Sequence, residues 1–302
     1  MIPNDKKSKL VSIYQYVCDL HDSEWKYVCQ RYSNNSKPEF TDQEIMTIYL
    51  FTTSQQRYYS IKEIHTFAKE YLLSWFPKLP SYQQFNIRLN RLEGAIQKVV
   101  SNLTSDFLPE GCDQGVSLVD SLPIITCKGR NRSGKVALEL TDKGYCSTKN
   151  MFYHGMKLHA LSFRRKGRIP FPEHLLCTPT SVNDLEAFKL AFGDSLNDRI
   201  VFGDKSYCDK DYFLEKEATS NLTMFTPHKN VKGESDVIRM REQASNDLFS
   251  KAVSTVSQPI ESFFNWLNEK TKIQNAQKVR STKGLLMHIF GRIAAAFIYL
   301  IF

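Results

Sequence analysis

The chain lacks the spacings that mark many site classes. Its seven cysteines, Cys18, Cys29, Cys112, Cys127, Cys146, Cys177 and Cys208, stand singly. With no CxxC pair, neither a zinc ribbon nor a disulfide framework is expected. An odd count without a secretory signal suits reduced thiols in a cytosol, so a cytoplasmic, nucleoid-associated protein is expected. The opening Met1-Ile-Pro-Asn-Asp-Lys-Lys has no apolar core of a leader. Long hydrophobic runs are also absent. The stretch Ile293–Phe302 is apolar for ten residues, about half a membrane span, and reads as a core helix with no membrane partner. No Gly-rich phosphate loop, Ser-His-Asp or Cys-His pattern is present. His154 and His159 are five apart, which is not a helix-face metal pair, so they are expected to face solvent or DNA from a hairpin. There is no internal repeat or low-complexity tract.

Charge is present and unevenly placed. Residues 1–110 carry 13 Lys/Arg against 12 Asp/Glu, whereas residues 111–302 carry 27 against 20. Within 128–168 there are 11 basic residues and only two acids, Glu139 and Asp142. Side chains of one sign on one face would make a strongly positive surface suited to a polyanion. Lys128, Arg130, Arg132, Lys143, Lys149 and Lys157 are candidate phosphate contacts. So are Arg164, Arg165, Lys166 and Arg168, in the turn of an expected hairpin, and Lys229 after Pro227.

The first 110 residues read as helical. Leu10, Ile13, Tyr14 and Val17 make one apolar face. Thr41-Asp-Gln-Glu44 and Ser60-Ile-Lys-Glu63 are capping boxes that open two helices. Ser81 can cap one long third helix, because Tyr82, Phe85, Leu89, Leu92, Ile96, Val99 and Leu103 recur with a period near 3.5. Short capped helices before a longer one with Arg88 and Arg91 off its apolar stripe suit a helix-turn-helix-like DNA reader. A plain helical bundle fits the same pattern.

Three carboxylates carry the chemistry of residues 111–302. Asp120 ends the apolar run Val116-Ser-Leu-Val-Asp120, and Asp204 ends Arg199-Ile-Val-Phe-Gly-Asp204. Both runs are short and β-rich. Glu261 lies at the edge of the stripe Ile260, Phe263, Phe264 and Leu267, on a helix with Pro259 in its first turn. Further strands are expected at Met156–Phe163, His174–Thr178 and Leu222–Thr226. A helix from Asn183 or Asp184 to Phe192 is expected between them, and a polar, helix-compatible insertion near 231–254. Strand-end acids need positive charge. Hard oxygen ligands select Mg²⁺ or Mn²⁺. Two ions about 3.5–4 Å apart serve phosphodiester cleavage, with Asp120 as the shared ligand and Asp204 and Glu261 each completing one site. Acids on the first strand, the fourth strand and a late helix match a ribonuclease-H-like α/β fold, a mixed sheet flanked by helices. It would occupy residues 111–302, behind an all-α N-terminal domain over 1–110.

Five blocks in order resemble the DDE transposases of bacterial insertion sequences. They are Leu118-Val-Asp-Ser-Leu-Pro123, Asp142-Lys-Gly-Tyr-Cys146, Tyr153-His-Gly-Met-Lys-Leu-His159, Gly203-Asp-Lys-Ser-Tyr207 and Pro259-Ile-Glu-Ser-Phe-Phe264. The resemblance covers roughly 115–300 and is closest to the nine-eighty-two-type group of the insertion-sequence-four-like class. It implies cleavage and strand transfer at terminal inverted repeats, with Asp120, Asp204 and Glu261 as the metal ligands. Double-stranded DNA is the expected partner and a homodimer the expected active form. A nuclease or resolvase without strand transfer and an inactive DNA-binding regulator are the rival readings. The chain departs from that class before the glutamate, since Val253 to Gln258 hold neither Tyr nor Arg.

Overall fold

The structure, a computed structural model, describes residues 2–29, 38–130, 134–146, 149–228 and 236–302. Two compact units emerge. One joins Met1–Asp106 to Leu267–Phe302, and the other is Phe107–Trp266. The first unit's opening stretch ends at Asp106, and the last stretch of chain belongs to the same unit. No local sequence signal marks that return.

The helical unit begins with α1 (Asn4–Leu20), α2 (Asp42–Gln56), α3 (Ile61–Tyr71), α4 (Tyr82–Arg91) and α5 (Glu93–Asp106). Both capping boxes form, with Thr41 and Ser60 accepting from the amides of Glu44 and Glu63 while those carboxylates bind back. The expected long third helix is instead two. Leu92 leaves helical geometry at ψ 14°, and its N–H reaches Leu89 O at 3.0 Å in a tightened turn. Glu93-Gly94 follows, and glycine costs a helix about 1 kcal/mol relative to alanine. The periodicity continued across the break because both helices bury the same side of the chain.

The second unit is built on a six-stranded mixed sheet. Its strands are β1 (Cys112–Lys128), β2 (Asp142–Cys146), β3 (Met151–Arg165), β4 (Phe171–Pro179), β5 (Arg199–Phe202) and β6 (Leu222–Phe225). The order is β2-β3-β1-β5-β6, with β4 pairing β3 beside β2. The β1, β3 and β4 strands run antiparallel, and β5 and β6 run parallel to β1. This α/β arrangement is compatible with the ribonuclease-H-like fold. Between β4 and β5 lies α6 (Asp184–Phe188), capped by Asn183 and continued by a π-turn to Gly193. Helix α7 (Lys210–Ser220) joins β5 to β6. Val119, Leu161, Val201 and Leu222 from the sheet pack with Phe188, Phe192, Tyr207 and Phe213 into one core cluster. The polar stretch expected near 231–254 contains most of α8 (Asp236–Ser257), which runs directly into α9 (Pro259–Thr271).

A largely buried ion pair of partly exposed residues ties the sheet together. Arg199 at the head of β5 forks onto Glu173 of β4 at 3.0 and 3.3 Å and donates to Ser117 of β1 at 2.9 Å. Both charged side chains are under 20 % exposed. Removing one partner leaves the other charge buried and unpaired, which costs about 3–5 kcal/mol. Arg199→Ala should therefore lower the urea midpoint sharply, and a loss under about 1 kcal/mol would contradict this reading.

Helix α10 (Thr282–Ile301) is long and apolar enough to cross a membrane by composition, yet most of it is buried in the protein. It packs against α5 and α2. Its Arg292 donates to the carbonyls of Thr271 and, at 2.9 Å, Tyr59. Polar groups anchored to protein backbone make α10 a core helix, as its short apolar run suggested.

Candidate active site

The register of the sheet brings two acids distant in sequence to corresponding positions on neighbouring strands. The β1–β5 pairing runs Val116↔Ile200, Ser117↔Val201 and Leu118↔Phe202. Two residues beyond the last pair, each strand reaches its acid, Asp120 on β1 and Asp204 just past the end of β5. From Val119 onward the β5 side of β1 has no strand partner among the described residues. That open edge admits Pro123, which has no N–H to donate. It also lets β1 continue far beyond the five residues read as a strand. Gly203 sets the approach to Asp204. A Cβ there would stand 2.8 Å from the Tyr207 ring and 3.1 Å from Val119, while its N–H binds Phe225 O at 3.1 Å.

Glu261 enters from the first turn of α9, with its N–H bonded to Gln258 O at 3.0 Å. A carboxylate suits that helix end. Pro259 opens the helix as expected, and Ile260, Phe263 and Phe264 are buried while Glu261 stays exposed.

The electrostatics show what this arrangement wants. Burial pushes the half-buried Asp120 carboxyl up to about 7, against the pull of the Ser121 N–H, and the charges of Asp204, Asp184 and Glu261 push the same way. Three other acids thus act on Asp120, of which Asp184 is paired with Lys157. Their hard oxygen donors fit Mg²⁺ or Mn²⁺. Among the described residues, no three His, Cys, Asp or Glu side chains stand close enough to hold an ion as they are placed. Local hydrogen bonds hold two of the acids apart. Asp120 Oδ1 accepts from Ser121 N–H at 2.7 Å, and Asp204 Oδ1 accepts from Ser206 N–H at 2.8 Å and from its hydroxyl.

Two residues of this neighbourhood escaped the sequence reading. Asp184, foreseen only as a possible helix cap, binds Lys157 Nζ at 3.1 Å and lies 3.7 Å from His159 Nδ1. Tyr207 is 1 % exposed, and its hydroxyl has no hydrogen-bond partner among the described residues. Asp184, Asp120 and Asp204 add to the burial that raises its phenol well above the usual range. The block Gly203-Asp-Lys-Ser-Tyr207 carried this signal, since a tyrosine three residues after a strand-end acid can fold back beneath it.

Several expected DNA contacts are engaged elsewhere. Arg88 is only 10 % exposed and donates to Phe40 O and to Asp42 at 2.8 Å, so it is an internal brace. Lys157 is held by Asp184 and by Val182 O at 2.9 Å. Arg165 staples its hairpin through Ile169 O and Glu110 O. His154 and His159 are buried, and burial pushes His159 down to about 4. Arg132 and Lys229 lie outside the described residues, as do positions 231–235 of the expected insertion. Arg91, Lys128, Arg130, Lys143, Lys149, Lys166 and Arg168 are exposed, and Arg164 is half-buried.

The basic block does not form one face. Lys128, Arg130, Lys143 and Lys149 lie near the start of β3, and Arg164 to Arg168 lie at its end. Twelve residue steps along β3, from Tyr153 to Arg165, separate them by roughly 40 Å of strand. Asp120, paired with Ala160, sits between the two groups.

The family described as Transposase DDE domain matches residues 110–281, more than half of the chain. The match takes in all three acids. No curated protein and no solved structure matches the chain.

Proposed function

Because the chain belongs to the family of DDE transposase domains, we propose that it cuts DNA at the ends of an insertion sequence and joins those ends to target DNA. Membership makes it a nuclease-type enzyme of DNA recombination that binds DNA. The finer reading is a nine-eighty-two-type element, with Asp120, Asp204 and Glu261 as the acids that hold divalent metal. One observation supports the role of the acids. In the β1–β5 register Asp120 and Asp204 lie two residues beyond the same pair, and the charges of Asp204 and Glu261 both act on Asp120.

A divalent ion bound there, Mg²⁺ or Mn²⁺ and by this reading a pair, supplies Lewis-acid stabilisation of the attacking and leaving oxygens of a phosphodiester. The protein's part is placement. Ser121 N–H holds one oxygen of Asp120. The Ser206 contacts orient Asp204. The rigid turn at Pro259 fixes Glu261. Basic side chains lie on either side of Asp120, about seven residues of β3 (roughly 23 Å) from its partner Ala160 at one end and about five (roughly 17 Å) at the other, which suits a duplex laid along the strand. Two element ends must be handled, so a homodimer is the proposed active form, acting on chromosomal DNA in the cytoplasm.

A pre-cut end oligonucleotide, a plasmid and Mg²⁺ test the assignment. Joining of the 3′ end to the plasmid is the expected result. Nicking without joining would point to a nuclease or resolvase, and binding without nicking to a regulator.

End recognition belongs, in this proposal, to the helical unit. Helix α4 turns Gln83, Gln84, Ile87 and Arg91 to solvent. At about 100° per residue these positions fall on one 100° arc, away from Phe85 and Leu89. Amide and guanidinium groups on one helix face can read adenine and guanine edges, each bidentate pair contributing about 1–3 kcal/mol of discrimination. In the full chain, Gln83→Ala and Arg91→Ala should each reduce the preference for an end over scrambled duplex by about 5- to 150-fold. Retained preference in both would place end recognition elsewhere. The full chain is needed because a fragment ending at Pro109 would lose α10 from its core.

A further inference from the structure

The hairpin of β2 and β3 exposes aromatic surface that the three acids do not use. Tyr145 and Phe152 are a directly opposed cross-strand pair, with ring centroids 5.0 Å apart and planes tilted by 56°. Tyr145 is 50 % exposed and Phe152 37 %. Arg130 and Lys143 lie over the Phe152 ring at 5.8 and 6.0 Å. Lys143 also donates to Arg130 O, which holds the two cations together. Neither cation has a carboxylate partner among the described residues. Asn150, in left-handed geometry at φ 46°, accepts from the Tyr145 hydroxyl and fixes that ring.

A cross-strand aromatic pair stabilises a hairpin on its own. That role does not need half of a tyrosine in water or two unpaired cations on its neighbour. Aromatic faces among free cations are the chemistry that binds unpaired nucleotides. The rings stack on bases and the cations meet the backbone. Side chains alternate along a strand, so Phe152 lies on the same face of β3 as Ala160, the partner of Asp120.

We propose that Tyr145, Phe152, Arg130 and Lys143 form a platform for an unpaired or unstacked nucleotide of the DNA. The platform lies on the face of β3 that Asp120 shares and about eight residues of strand from it. This rests on the DNA-acting reading above. Its role would be to hold strand that has left the duplex while the acids work on the paired part.

Fluorescence anisotropy of the full chain with a labelled 20-residue oligothymidine and with a 20-base-pair duplex tests this. Tyr145→Leu/Phe152→Leu keeps apolar bulk in the hairpin and removes both π faces. It should weaken single-strand binding by about 10-fold or more and leave duplex binding within about 3-fold. Tyr145→Phe/Phe152→Tyr, which keeps both faces, should restore single-strand binding. Equal losses on both DNAs, or none on oligothymidine, would overturn the platform. So would a leucine variant whose thermal melt shows a damaged fold but which the aromatic swap does not rescue. A wild-type chain that binds neither DNA would instead defeat the DNA-acting reading itself. Duplex cleavage with an unaffected leucine variant would defeat only the platform.

Discussion

Asp120→Asn should reduce strand cleavage by about 10³-fold or more while leaving duplex affinity within a few-fold. Lewis-acid stabilisation of a phosphodiester transition state contributes several kcal/mol, and each 1.36 kcal/mol is a factor of ten. Asparagine keeps the shape and the acceptor for Ser121 N–H, but it lacks the charge that holds an ion. Affinity rests on basic side chains elsewhere, so it should survive. Asp204→Asn and Glu261→Gln should lose activity by the same route. A single-turnover assay with Mg²⁺ reads the chemistry, and anisotropy reads the binding. Asp120→Asn cleaving at the wild-type rate would remove the acid from the mechanism.

The same substitution should stabilise the metal-free protein. Asp120 sits at about 7 in the folded chain, against about 3.9 for an unfolded aspartate. Below about pH 4 the carboxyl is neutral in both states and costs nothing. Between about 4 and 7 the unfolded chain releases a proton that the folded chain keeps, so stability falls as pH rises. Above 7 the cost is complete, with a ceiling of about 4 kcal/mol. In EDTA, Asp120→Asn should therefore resist urea better than wild type at pH 8, with the difference fading toward pH 4. Mg²⁺ should close the gap at pH 8 by stabilising the wild type alone. A variant less stable than wild type at every pH would mean that Asp120 is already balanced by a partner in the fold.

The three acids stand out as candidates because each closes a short pattern that sequence exposes, two β-rich runs and the edge of an apolar helical stripe. Their company does not. Asp184 reaches the site only when α6 docks on the sheet, a contact that no local pattern encodes. β2 escaped because Asp142-Lys-Gly-Tyr-Cys146 has no apolar alternation and stands as a strand only through β3. Its Gly144 is required where the Thr180 side chain closes on it. The basic block misled through continuity in sequence. β3 is one extended strand, so charges close in number separate toward opposite ends. Arg88 misled for a related reason. It lies off the apolar stripe and would face solvent on an isolated helix, but Asp42 at the start of α2 captures it. The long third helix was overread because hydrophobic period survives a one-residue break that the backbone does not.

The measurement closest to the central claim is cleavage by the full wild-type chain of a duplex carrying the inverted repeat that flanks its own coding sequence. Products are mapped to the nucleotide in Mg²⁺ and in EDTA. The expected products are 3′-hydroxyl ends at the repeat boundary in Mg²⁺, none in EDTA, and none with Asp120→Asn in either. Boundary cleavage that persists in EDTA would contradict that claim, as would a folded, DNA-binding wild-type chain that leaves the boundary intact in Mg²⁺ and Mn²⁺.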